Sequence, residues 1–115
     1  MIMDEIKYEM IICIVNAGFS GSVMESAKIE GAGGGTVIHA RGTADKEAEE
    51  FFHIAIQPEK EVVIMVVPEA IKDNVLRAIY EKNGLETEGQ GIAFSVPVLK
   101  AVGLSYSKNK TADKA

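Results

Sequence analysis

The sequence has no tryptophan, one cysteine and three prolines in 115 residues, and each shortage narrows the choice of function. The lone Cys13 has no intrachain partner for a disulfide. It lies inside the apolar run MIICIV and reads as a small buried hydrophobe rather than a reactive thiol. Aromatic residues make up only 6% of the chain, too few for the stacking platforms of single-strand binders. Positive charge is also scarce: 12 Lys and Arg stand against 17 Asp and Glu, a net charge of −5. With no Lys/Arg cluster, the electrostatic footprint of a nucleic-acid binder is missing. No apolar run approaches the roughly 18 residues of a membrane span. The first nine residues mix charge with apolar side chains, unlike a signal peptide. The expected compartment is cytoplasmic, with neither nucleic acid nor direct membrane insertion.

What is present suits a soluble globule: 47% apolar and 25% charged residues. The length fits one domain, expected over residues 1–106 with a polar tail, Ser107–Ala115. Met10–Val15 and Val62–Val67 are continuous, β-branched-rich runs, too short for helices, and read as strands buried on both faces. Asn16-Ala17-Gly18 breaks the first. A helix is expected from about Ser20 to Glu30, opened by a Ser22/Glu25 capping box and closed by Gly31 in the left-handed conformation. Thr36–Ala40 reads as a strand, Arg41–Glu50 as a loop, and Phe51–Ile56 as a short extended stretch. Pro68 suits a first helical position. Ile71, Val75, Ala78 and Ile79 then share a helix face, with Arg77 and Glu81 paired outside, and Asn83-Gly84 closes this helix. Ile92–Val98 is a last strand, placed at an edge by Pro97. The order β-α-β-β-α-β is that of an α+β, ferredoxin-like sandwich with a four-stranded antiparallel sheet. Its two most apolar strands belong in the middle. Helices cover one face only, so the open face calls for partner copies.

EGAGGGTVIHARGT, from Glu30 to Thr43, holds the densest cluster of glycines. It contains no Gly-Lys pair for a phosphate-wrapping Walker loop. Gly31-x-Gly33 fails the dinucleotide fingerprint at Thr36, and it follows a helix instead of preceding one. The glycines therefore read as a helix-to-strand connection. His39 and His53 show no metal-ligand spacing and no Ser or Cys partner for nucleophilic catalysis. Neither a metal site nor a catalytic group is expected. Asp45, Glu47, Glu49 and Glu50 read as a solvated acidic loop or a fraying helical turn.

GGGTVIHARGT, IQPEKEVVIMVVPEAIKD and GLETEGQGIAFSVPV, in that order and spacing, resemble the PII family of nitrogen-regulatory signalling proteins over most of Met10–Val98. The resemblance implies a ferredoxin-like homotrimer. ATP or ADP, with 2-oxoglutarate beside it, would lie in clefts between subunits, and a T-loop between the second and third strands would dock on targets. On this chain the adenine-side positions fall on Ile14, Thr36 and Val66, and the base of the T-loop on Gly42. Gly89, Gln90 and Gly91 match a phosphate-facing glycine loop, and Lys60 matches an oxoglutarate-contacting lysine. The pattern departs where charge is expected: Ile92 follows the glycine loop in place of Lys, and Gly103 and Ser105 replace two Arg. Arg41, Lys60 and Lys100 are the remaining candidates to supply it. Each lost charged contact is worth about 1.5–3 kcal/mol, which implies a weakened phosphate site. The docking loop, including Thr43, Asp45, Lys46 and Glu47, is short and has no Tyr or Ser to modify.

The expected function is therefore non-enzymatic: a trimeric regulator that senses an adenine nucleotide or a 2-oxoglutarate-like metabolite. It would act on an enzyme, transporter or transcription factor of nitrogen or carbon metabolism. The alternative is a trimer similar to the CutA family, metal-linked through His39, His53 and the loop acids, or purely structural.

Overall fold

The computed structural model describes residues 6–43, 50 and 58–104. Its elements are β1 (Tyr8–Asn16), α1 (Ser20–Ile29), β2 (Thr36–Arg41), β3 (Glu59–Pro68), α2 (Glu69–Asn83) and β4 (Ile92–Val98). The strands form one antiparallel sheet in the order β2-β3-β1-β4. This is the ferredoxin-like arrangement expected, with the two most apolar strands central and the Pro97 strand at an edge. The expected stretch Phe51–Ile56, His53, the docking residues Asp45, Lys46 and Glu47, and the tail Ser107–Ala115 lie outside the described residues.

Side chains alternate across the sheet. Ile11, Cys13 and Val15 of β1 and Val63, Met65 and Val67 of β3 point to the helices. They form the core with Val23 and Ala27 of α1 and Val75 and Ile79 of α2. Each such aliphatic side chain contributes about 1.5–3 kcal/mol when fully buried.

Among the described residues no helix element packs on the opposite face. There Met10, Ile12 and Ile14 stand in register with Val66, Ile64 and Val62 on one side and with Val96, Phe94 and Ile92 on the other. Ile38 continues the patch on β2. Within a single chain β1 and β3 are thus buried on one face and only half-buried on the other. The expectation of two buried faces is not met by one copy, because the apolar runs carry side chains to both sides of a one-layer helix cover. Ile92 and Ile38 remain about half exposed, at 51% and 47%.

Helix α1 ends as Gly31 predicts. Gly31 has φ +111°, its N–H donates to Lys28 O, and the Ala32 N–H donates to Ala27 O. That hydrogen-bond pair is a Schellman closure, and it seats Ala32 in the core. The helix start differs from expectation. Its N-cap is Phe19, with no side-chain cap from its own turn, so Ser22 lies inside the helix and makes no capping box. The first turn is served from β3 instead: Glu61 Oε1 accepts the Ser20 N–H at 3.0 Å. Ser22 Oγ accepts from Asn83 Nδ2 at 3.2 Å and so ties α1 to the end of α2. Pro68 is the N-cap of α2 and not its first helical residue. Arg77 Nη1 bonds Asn74 Oδ1 at 3.4 Å; no Arg77–Glu81 pair forms at ion-pair distance among the described residues.

Candidate functional site

The sheet brings several expected site residues together at the end where β1 finishes and β3 begins. Asn16 and Lys60 are register partners there, and Lys60 Nζ donates to Asn16 Oδ1 at 2.8 Å. The Asn16 amide turns its other end to the glycine loop, Nδ2 donating to Glu88 O at 2.9 Å. The Asn16 backbone N–H donates to Gly89 O at 2.8 Å. Gly42 stands on the other side of the lysine: a Cβ at Gly42 would come within 3.1 Å of Lys60 Cε and 3.4 Å of Lys60 Cγ. Asn16 thus joins Lys60, which packs on Gly42, to the Glu88–Gly89 part of the glycine loop, and Ile14 lies two residues earlier in β1, opposite Val62 and Ile92; Gly91 faces Asn83 and Val15 on the helix side. Arg41 is opposite Glu59 at the end of β2.

The glycine loop has packing reasons of its own. Gly91 lies so close to α2 that a Cβ would run into the Asn83 carbonyl oxygen and come within 2.9 Å of Val15 Cγ1. Its N–H donates to that carbonyl, and the Gln90 N–H donates to Thr87 O. The Gly42 N–H is likewise taken by Pro58 O at 2.7 Å. Three of the backbone donors expected to face an anion are thus engaged within the chain, and the fixed positive charges at this end are the Lys60 ammonium and, at the end of β2, the Arg41 guanidinium.

Thr36 and Val66 lie elsewhere. They line a cavity of about 340 Å³ with Gly33, Gly34, Gly35, Ile64, Met65, Gly103 and Leu104. Gly35 is held tight, since a Cβ there would meet Met24 Sδ at 2.9 Å and Ile64 O at 3.0 Å. Val66 is four residues along β3 from Val62, roughly 13 Å at 3.3 Å per residue. One chain therefore splits the expected residues into two groups. Lys100 borders a third space, of about 650 Å³, beside Lys7, Glu9 and Glu69 past the other end of β4.

Two side chains are central to these ends in roles that sequence reasoning did not assign: Glu61, which it did not name, and Asn83, which it read only as a helix end. Glu61 is 8% exposed. Hydrogen bonds from Ser20 hold its carboxyl below the usual carboxylate range, against the opposing effect of burial, with smaller help from the Gly18 N–H and from His39. His39 Nδ1 is 4.0 Å from Glu61 Oε2 on a side chain 83% exposed, a contact of little energetic weight. Asn83, 2% exposed, links α1, α2 and the glycine loop. Neither residue leaves a local signature, because their partners are 41 and 61 residues distant in sequence. Cys13 is buried, and burial pushes its thiol up to about 11. Among the described residues no group of three His, Cys, Asp or Glu is placed to hold a metal, and no helix is long and apolar enough to cross a membrane.

No protein-family model matches the sequence, and no curated protein matches it either. Solved structures do. The chain is similar to a protein described as PII-like signalling from Thermus thermophilus, with TM-score 0.62 and 19% identity over 84% of this chain and 90% of that one. It is similar to Arabidopsis thaliana PII bound to citrate, with TM-score 0.61 and 22% identity over 84% of this chain and 80% of that one. A Bacillus cereus protein related to NIF3 gives TM-score 0.63 at 12% identity, with 83% of this chain on 26% of that longer one. At such identities the likeness is one of fold. The class so defined is the ferredoxin-like α+β sandwich. More narrowly, this chain has the fold of the PII-like signalling proteins.

Proposed function

We propose that the protein is a PII-like, non-enzymatic signalling protein. Three copies pack their open sheet faces together, and each cleft between copies takes a small anionic effector. The observation that carries this reading is the division of the site. Gly42 and Lys60 sit at one end of the strands with Asn16 and the Glu88–Gly89 turn, while Thr36 and Val66 line a cavity that begins on β3 at Ile64, four residues or roughly 13 Å beyond Lys60. One copy's lysine end facing a neighbour's cavity reunites them, and the uncovered apolar face supplies the adhesion. The Arabidopsis protein with this fold binds citrate, which suits a carboxylate-bearing effector. With Ile92, Gly103 and Ser105 in place of charge, and with the Gly42, Gln90 and Gly91 N–H groups engaged, ATP or ADP binds more weakly than a ligand recognised through one or two carboxylates. Occupancy then alters the segment after Gly42, through which a target enzyme, transporter or transcription factor of nitrogen or carbon metabolism is regulated. Such a shift needs only different affinities for two loop states.

Thermal shift with ATP, ADP, AMP, 2-oxoglutarate and citrate, singly and paired, tests the proposal. A ligand at 100 times its Kd adds about 2.7 kcal/mol of stability. Stabilisation by a carboxylate or a nucleotide that is lost in Lys60→Ala supports it. No response to any of these anions overturns it. The metal-linked CutA-like alternative is not favoured, given the PII-like structural neighbours; it would require stabilisation by divalent metal alone, removed by His39→Ala.

A further inference from the structure

We infer that Asn16 is a relay: it joins Lys60 to the Glu88–Gly91 loop, so that an anion drawing the lysine away releases that loop and disturbs Gly42 at the same time. The inference rests on the anionic-effector reading above and adds the device by which occupancy is transmitted. Three observations meet at one side chain. Oδ1 of Asn16 accepts from Lys60 Nζ at 2.8 Å, Nδ2 donates to Glu88 O at 2.9 Å, and the backbone N–H of the same residue donates to Gly89 O. The amide thus spans the lysine and the loop, with one polar end committed to each. On its far side the lysine stem packs on Gly42, where no side chain larger than hydrogen fits without moving it.

The chemistry favours exchange. The ammonium is held by a neutral amide oxygen, and no carboxylate lies within ion-pair distance of it among the described residues. A hydrogen bond between two ionised groups is shorter and stronger than one to a neutral amide. An incoming carboxylate or phosphate therefore takes Lys60 from Asn16. The freed amide no longer holds Glu88 O in place, and the displaced stem leaves Gly42, the first residue beyond β2. One event at the lysine then reaches both the loop before β4 and the segment leading to residues 44–49.

The tie is testable without any ligand. In the ligand-free protein, Lys60→Ala speeds hydrogen exchange of the Gln90 and Gly91 amides by about 3–10-fold, the value of one hydrogen bond. In an Asn16→Ala background the same substitution adds no change. An unchanged rate in the first case, or an equal increment in both, overturns the relay. Asn16→Asp gives an independent check that a merely structural role would not satisfy. It keeps an acceptor for Lys60, supplies a counter-charge and removes the donor to Glu88 O. It weakens citrate and 2-oxoglutarate binding at least about tenfold while leaving the loop amides as fast as in Asn16→Ala. The regulatory use is read by titrating the 15N-labelled protein with citrate and with 2-oxoglutarate plus ATP. The Gly42 and Gly89 resonances move along one curve in the native protein; in Asn16→Ala, Gly42 moves and Gly89 stays. If neither probe moves Gly42 in the native protein, the effector reading fails and the relay's signalling role with it, while the exchange cycle still decides the tie.

Discussion

Replacing Glu61 tests how β3 anchors the first helix. Its carboxylate is the acceptor for the Ser20 N–H, does the work of an N-cap from another strand, and places negative charge at the positive end of α1. Losing a cap costs about 0.5–2 kcal/mol, and a hydrogen bond to a charged group is worth about 1.5–3 kcal/mol. Glu61→Ala should therefore cost about 2 kcal/mol. Glu61→Gln, which keeps an acceptor oxygen but not the charge, should cost about 1 kcal/mol. For a domain of this size each kcal/mol lowers Tm by about 4–8 °C, measured at fixed protein concentration because association also raises Tm. The pH dependence follows from the direction of the shift. The folded-state pKa is lowered from the ordinary 4.5, so the stabilisation is complete above that ordinary value. It fades as pH falls through the lower folded-state value. The gap between native protein and Glu61→Gln should therefore narrow as pH is lowered into the acid range beneath the ordinary value. Calorimetry or denaturant melts at pH 7, 5, 4 and 3 read this. Equal stability of all three proteins at pH 7, or a gap unchanged at pH 3, would refute the capping role.

Three further outcomes are expected. Gly91→Ala drives a methyl into the Asn83 carbonyl and toward Val15 and should destabilise by about 1–3 kcal/mol, the usual cost of overpacking; denaturant unfolding checks it, and a neutral result would mean the loop rearranges freely. Cys13, buried with its thiol pushed up to about 11, should react with a thiol reagent at pH 8 only after denaturant is added. His39→Ala should change stability by less than about 0.5 kcal/mol, because the imidazole is largely exposed beside its carboxylate.

The parts of this fold legible in the sequence are those set by local pattern or by total apolar content. Met10–Val15 and Val62–Val67 announce central strands because only such strands can use so many β-branched residues. Pro97 announces an edge because it has no N–H to give. Gly31 announces a helix end because its positive φ suits no other residue. What local pattern could not supply are partners distant in sequence. Ser22 and Glu25 have the spacing of a capping box, but the acceptor that reaches the helix start comes from Glu61 across the sheet. Asn16 looks like a strand breaker, yet it closes β1 and binds both Lys60 and the glycine loop. The proposed site was legible as residue types through resemblance. Its division between two ends of the sheet was not, because strand register converts sequence spacing into distance only once the pairing is known.

Sedimentation equilibrium of the native chain at micromolar concentration tests the central claim most directly. A mass of three times the 12.4 kDa chain, reduced to one chain by Ile12→Lys at the middle of the open face, is the predicted result. A single chain in the native protein would contradict the account, since the lysine end and the cavity end could then never meet around a ligand.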